Sequence, residues 1–285
     1  MAQPPRIAIP IPTSNNPDYN TRAFKQYTDA ITASGGEPVV VPLDLSPHQV
    51  AQLITTCQAV LLPGSPNDIN PHKYGEEPVP ECAAPDPARE AVDELLIQDA
   101  HNLHKPILGI CAGTQALNVW RNGSLIQHLP AHDHDDTDDD TPPVNHRAGR
   151  EVIDAHPAEI ADNSLLKDIL EKLDEKSGGV PHAKPTIPRR NLLKNAENYT
   201  FCTIVDINSS HHQAIGTVGD GLRVVARCPQ DAVVEAVEGT NPDHFLLGVQ
   251  WHPERLKDDF SRAIFDRFVS EAARWKPRTI TESVG

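Results

Sequence analysis

The chain has 285 residues, with 40 Asp and Glu against 25 Lys and Arg, a formal net charge of -15 and 38% hydrophobic residues. That length allows one large α/β domain or two small ones. The acidic balance disfavours a nucleic-acid or anionic-membrane partner, since both need a basic face, and no apolar run approaches the ~20 residues of a membrane span.

A short apolar run at residues 6–11 predicts the first strand. Asn16-Pro17-Asp18 then opens a helix in which Tyr19, Ala23, Phe24, Tyr27, Ala30 and Ile31 recur at three- and four-residue steps, the period of one buried face. Ser34-Gly35-Gly36 stops it. Strand 38–43, helix 47–54 and strand 59–62 follow, an alternation that predicts parallel neighbours joined by right-handed crossovers. Residues 63–85 are rich in Pro, Asn and Gly and form a loop too long for a plain connector, which points to function. Residues 86–104 read as a helix with Val92, Leu95, Leu96 and Leu103 inward, and 106–110 as a buried strand. The segment carrying Ala116, Leu117, Val119 and Trp120 reads as the next helix, and 121–124 as a turn.

A polar stretch at 130–150 leads to an expected strand at 151–155 and a helix at 164–173. Residues 174–200 have no clear period and read as an irregular insertion. Strands are expected at 201–207, 222–227, 233–237 and 245–250, the last three as an antiparallel portion of sheet. A helix at 256–275, with Phe260, Ile264, Phe268 and Ala272 four apart, closes a single α/β domain over residues 1–275, and 276–285 form a frayed tail.

The chemistry concentrates at Gly109-Ile110-Cys111-Ala112-Gly113, between the strand at 106–110 and its helix. Strand, Gly-x-Cys-x-Gly, helix is the pattern of a nucleophile elbow, in which the turn is too tight for side chains beside the nucleophile. The following helix N-terminus favours a thiolate and a developing oxyanion. By itself the pentapeptide also fits a structural Cys in an ordinary strand-to-helix turn. A thiol nucleophile needs a base, and the base an orienting acceptor. His252 follows a strand end, and Glu254 lies two residues on, across Pro253. That carboxylate can hold one imidazole nitrogen while the other faces a thiol. The Ala112 amide is a natural oxyanion donor, and the Pro63-Gly64-Ser65 loop can supply a second.

Other features admit two readings. His132, His134 and the Asp residues through Asp140 could hold a divalent metal, or form a solvated acidic loop with no frame to fix ligands. Arg189-Arg190 could reach a carboxylate substrate or partner, or lie in solvent. The five cysteines (57, 82, 111, 202 and 228) are scattered, with no Cys-x-x-Cys pair. With no basic-then-apolar leader at Met1, they predict a cytoplasmic protein.

Together, Gly109-Ile110-Cys111-Ala112-Gly113-Thr114-Gln115 and Trp251-His252-Pro253-Glu254 resemble the class I glutamine amidotransferase-like superfamily, and within it the gamma-glutamyl-gamma-aminobutyrate hydrolase family. The loop Pro63-Gly64-Ser65 with Tyr74-Gly75-Glu76, and Asn208-Ser209-Ser210-His211-His212-Gln213, carry the same resemblance. It implies a flavodoxin-like, mostly parallel sheet flanked by helices, with Cys111, His252 and Glu254 as a triad. Gly64 and Ala112 would supply oxyanion amides. Ser65, Gln115, Ser210, His211 and His212 would line a γ-glutamyl pocket. The implied reaction is hydrolysis of a small γ-glutamyl amide, such as one from polyamine catabolism, through a thioester on Cys111, with no cofactor and no metal. A homodimer is left open. Two departures bear on the amine released: Ala112 stands where the family commonly has Arg, and residues 174–200 look longer than the family's stretch. A glutaminase subunit feeding ammonia to a separate synthase, or a non-catalytic binding protein of the same fold, are the alternatives.

Overall fold

The computed structural model describes residues 3–129, 144–176, 178, 182, 184–185 and 201–277. The acidic stretch around His132 to Asp140, the Arg189-Arg190 pair and most of 174–200 lie outside the described residues, as do tail residues 278–285.

The N-terminal half alternates as its pattern predicts: β1 (Arg6–Pro10), α1 (Pro17–Ala33), β2 (Glu37–Val41), α2 (Pro47–Ile54), β3 (Ala59–Leu62), α3 (Pro87–Leu103), β4 (Ile107–Ile110) and α4 (Ala112–Trp120). Local chemistry fixes the helix starts. Asn16 and Asp86 accept from the backbone N–H groups of Tyr19 and Arg89, and Ser46 with Gln49 forms a capping box before α2. Each of these three helices also begins with Pro, whose missing N–H costs nothing there. A short β5 (Leu125–Ile126) follows.

The second half supplies β6 (His156–Ala161), α5 (Leu165–Lys176), β7 (Lys184–Pro185), β8 (Phe201–Ile207), β9 (Ala214–Ile215), β10 (Leu222–Arg227), β11 (Val234–Gly239), β12 (Leu246–Val249) and α6 (Asp259–Arg274). Ten strands form one sheet in the order β2-β1-β3-β4-β12-β11-β10-β6-β8-β7. The pairs from β2 to β12 are parallel, and those from β12 to β7 antiparallel. Strands β5 and β9 pair separately, far apart in the chain, so the turn at 121–124 opens no local hairpin.

The antiparallel extension thus exceeds the three strands expected. The strand anticipated at 151–155 lies at His156–Ala161 instead. Ile153 is 62% exposed, whereas His156, Ala158 and Ile160 alternate inward. A buried histidine and an interleaved glutamate hide that alternation from a hydrophobicity pattern.

Alternate side chains divide the core. Ile7 and Ile9 pack with residues of α1, α5 and α6 on one face, and Ala8 with residues of α2, α3 and α4 on the other. On α6, Phe260, Ile264, Phe268 and Ala272 all point inward, as their spacing predicts. Burying each large side chain contributes ~1.5–3 kcal/mol. No helix among the described residues is long and apolar enough to cross a membrane.

Candidate active site

At the carboxyl end of β4 the chain turns directly into α4, and Cys111 sits in the turn with φ 52° and ψ -113°. A non-glycine residue held there costs ~1–3 kcal/mol. The surroundings impose it. Cys111 N–H donates to the Val249 carbonyl at 2.8 Å, and the Cys111 carbonyl accepts from Thr114 N at 2.9 Å to start the helix. Thr114 Oγ1 also donates to the Val249 carbonyl at 2.8 Å, tying the elbow to β12. Gly113 is required by approach: a Cβ there would lie 2.1 Å from the Leu62 carbonyl oxygen at the end of β3.

His252 and Glu254 leave β12 at the same edge, because β12 pairs with β4 in parallel and both strands end together. Pro253 begins a single 3-10 turn, Pro253–Arg255, and Glu254 Oε1 meets His252 Nδ1 at 2.8 Å. Nδ1 therefore carries the proton. Asn208, from the loop after β8, clamps the His252 backbone from both sides: its Oδ1 accepts from His252 N at 2.8 Å and its Nδ2 donates to His252 O at 2.9 Å.

The third wall is the loop after β3. Gly64 packs against the side chains of His252 and Cys111. A Cβ on it would lie 3.0 Å from His252 Cε1 and 3.6 Å from Cys111 Cβ. Its N–H donates to Tyr27 Oη at 3.1 Å. Asp68 pins the rest of this loop, accepting from Ala83 N at 2.7 Å and meeting His212 Nε2 at 3.0 Å.

The residues expected to line a pocket divide. Ser65 and Ser210 are half-buried at the rim, where Ser65 Oγ accepts from Asn67 N at 3.1 Å and Ser210 Oγ from Arg255 Nη1 at 2.8 Å. His212 is half-buried against Asp68 and His128. Gln115 spends its amide internally, donating to the Gln213 carbonyl at 3.0 Å and to Gln250 Oε1 at 3.1 Å. His211 turns away: Nδ1 donates to the Gln213 carbonyl at 2.9 Å, and Nε2 faces Glu235 at 3.8 Å.

Three residues escaped the sequence reading. Tyr27 was counted with the core face of its helix, and nothing in that period marks a hydroxyl aimed at Gly64. Asn208 opens the motif at 208–213 but has no role assigned there, and Arg255 directly follows Glu254, which is the available signal. The Arg255 guanidinium donates to His252 Nε2 at 3.1 Å and lies 3.4 Å from Glu254 Oε1.

Burial pushes the Cys111 thiol up to about 12, although Arg255 and the Ala112 N–H favour the thiolate. Burial also lowers His252 below its ordinary 6.5, against the pull of Glu254, and Arg255 adds to the lowering. Burial opposes ionisation of Glu254, yet His252 and Arg255 hold it below the usual carboxylate range. The resting site is thus a neutral thiol, a neutral imidazole and an ionised carboxylate. The ion pair that the helix N-terminus suggested is outweighed by desolvation.

A cysteine elbow, a histidine and a glutamate at the carboxyl edge of a parallel sheet define a glutamine amidotransferase-type α/β fold. The backbone agrees. It superposes on the glutaminase domain of Trypanosoma brucei CTPS with a TM-score of 0.54, at 16% identity and with 96% of each chain covered. The chain belongs to the peptidase C26 family, whose model matches residues 10–183 and 186–254, and as a member it is a hydrolase. It is 31% identical to the gamma-glutamyl-gamma-aminobutyrate hydrolase of Escherichia coli over 251 residues, covering 86% of this chain and 84% of that one. A glutamine amidotransferase-like protein of Rickettsia prowazekii is 33% identical over 239 residues, covering 82% and 83%.

Proposed function

We propose that the protein hydrolyses γ-glutamyl amide bonds through a γ-glutamyl thioester on Cys111. The observation that carries this reading is the convergence of Cys111 and the His252–Glu254 pair on Gly64. As substrate enters, His252 Nε2 exchanges its bond with Arg255 for the Cys111 thiol and takes the proton while sulfur attacks the γ-carbonyl. Glu254 holds the resulting imidazolium. The Ala112 N–H stabilises the oxyanion, joined by Gly64 N–H once it exchanges Tyr27 for the developing charge. Collapse expels the amine, which takes the proton from His252. Water then attacks the thioester, His252 accepts its proton, and glutamate leaves with regeneration of the thiol.

The name of the Escherichia coli relative makes γ-glutamyl-γ-aminobutyrate the first substrate to assay, and polyamine catabolism the first setting. The resemblance puts Ala112 where the family commonly has Arg, so other amines belong in the same panel. The four described free cysteines, Cys57, Cys82, Cys111 and Cys228, fit a reducing cytoplasm. Glutamate release from γ-glutamyl amides and from glutamine, with Cys111→Ala alongside, tests the reading. Turnover confined to the wild type, with one γ-glutamyl group trapped on Cys111 in acid-quenched protein, is the expected result. Equal behaviour of wild type and variant on every substrate would sink it. Turnover of glutamine alone, and only with a co-purified partner, would favour the ammonia-delivering subunit.

A further inference from the structure

Away from Cys111, four buried side chains from four segments converge. They are His146 from the loop before β6, His156 from β6, His211 from the loop after β8 and Glu235 from β11. The histidines are 5–6% exposed and Glu235 is 0% exposed. Glu235 Oε1 lies 3.3 Å from His146 Nδ1, 3.7 Å from His156 Nε2 and 3.8 Å from His211 Nε2. None of these three nitrogens, and neither Glu235 oxygen, has a hydrogen-bond partner among the described residues.

The outward nitrogens are all engaged. His156 Nδ1 meets the Pro157 carbonyl at 3.1 Å, His211 Nδ1 the Gln213 carbonyl at 2.9 Å, and His146 Nε2 the Asp231 carboxylate at 2.8 Å. A carbonyl or carboxylate can only accept, so those ring nitrogens carry the protons. With the outward nitrogen protonated, each ring in its neutral form has its lone pair on the inward nitrogen. The inward nitrogens thus face the Glu235 carboxylate with no hydrogen bond made. Leaving buried polar groups unmet in this way is costly inside a protein.

We infer that His146, His156, His211 and Glu235 bind a divalent transition-metal ion, with zinc the best fit. Three imidazoles and one carboxylate suit zinc chemically. The geometry suits it as well: bonds of about 2.0–2.1 Å in a tetrahedron set ligand atoms ~3.3 Å apart, against the observed 3.3 to 3.8 Å to Glu235 Oε1. All four ligand atoms lie within 4.8 Å of one another, and an ion would draw them together. Each histidine also has the outer acceptor that fixes the tautomer and orientation of metal-bound imidazoles. With four protein ligands and full burial, the site is closed and structural, and does not activate water.

Its position gives it a task. His146 O accepts from His211 N at 2.9 Å and from Ser209 Oγ at 2.8 Å, so the ion would staple the 144–150 segment, the sheet and the 208–213 loop together. That loop carries Asn208, the clamp on His252. The ion would thus hold the catalytic base in place from behind without touching substrate.

The test uses the untagged full-length chain. Elemental analysis should find about one zinc per chain. Chelation should lower Tm by about 5–10 °C, with recovery on adding zinc. The cobalt-substituted protein should show the visible bands of a four-coordinate ion. Glu235→Gln and His156→Asn should lose the metal. Cys111→Ala should keep it, and so should a His132→Ala/His134→Ala double variant. If the ligand variants fail to fold, the cobalt spectrum of the wild type decides. A folded wild type that holds less than about 0.1 equivalents after incubation with equimolar zinc, and gives no four-coordinate cobalt bands, would overturn the inference. So would metal retained in folded Glu235→Gln and His156→Asn together.

Discussion

At the carboxyl edge of the parallel half, His252 has both ring nitrogens engaged: Nδ1 with Glu254 at 2.8 Å and Nε2 with Arg255 at 3.1 Å. In the antiparallel half, His146, His156 and His211 each engage one nitrogen and turn the other toward a shared carboxylate. The two arrangements use the same residue types for different chemistry. An imidazole between an acid and a donor that can depart is set to carry a proton. Three imidazoles that turn their inward nitrogens toward one carboxylate are placed to ligate. Asn208 and His211 lie on one short loop, so the two regions are mechanically joined although their chemistry is separate.

That separation can be attacked directly. The largest effect belongs to Cys111→Ala, which should abolish turnover, a loss of more than ~10³-fold, while leaving zinc content and Tm unchanged. Loss of metal in this variant would merge the two regions into one site. Glu254→Gln comes next. It should cut kcat by about 10²–10⁴-fold, since the amide cannot stabilise the imidazolium, and steady-state assay at saturating substrate measures it.

Gly64→Ala places a methyl group 3.0 Å from His252 Cε1 and 3.1 Å from Tyr27 Oη. Displacing the ring should cost about 10–100-fold in kcat with metal retained. An unaffected rate would show that this wall does not position His252. The smallest effect is on pH dependence. Because burial holds His252 below 6.5, the acid limb of kcat/KM should fall at a lower pH than for a free histidine. Arg255→Ala removes a cation that lowers His252, so its acid limb should move to higher pH, with the deficit confined to acid and vanishing above neutrality. An unmoved limb would assign that ionisation to another group.

Labelling sharpens the cysteine assignment. Cys57 and Cys228 are 1% exposed and Cys111 7%, whereas Cys82 is half-buried near the surface. Cys82 is therefore the competitor for a small alkylating agent, and a γ-glutamyl substrate should protect Cys111 but not Cys82.

The sequence by itself determined the alternating first half, the α6 face and the elbow. Helix caps, prolines and apolar periods act over a few residues, and a Gly-x-Cys-x-Gly turn carries its steric reason within five positions. His252 and Glu254 were legible for the same cause, being neighbours two apart. Only the tertiary structure decided the rest. The placement of β6 was hidden because a strand with His156 and Glu159 interleaved shows no hydrophobic alternation. The ionisation of Cys111 could not be read locally, since burial, a property of the whole packed core, outweighed the helix N-terminus. Tyr27 reaching Gly64, and four buried side chains gathered from positions 146, 156, 211 and 235, depend on strand order across the sheet. Spacing along a chain specifies local turns and faces. It does not specify which distant side chains the sheet brings to a common point.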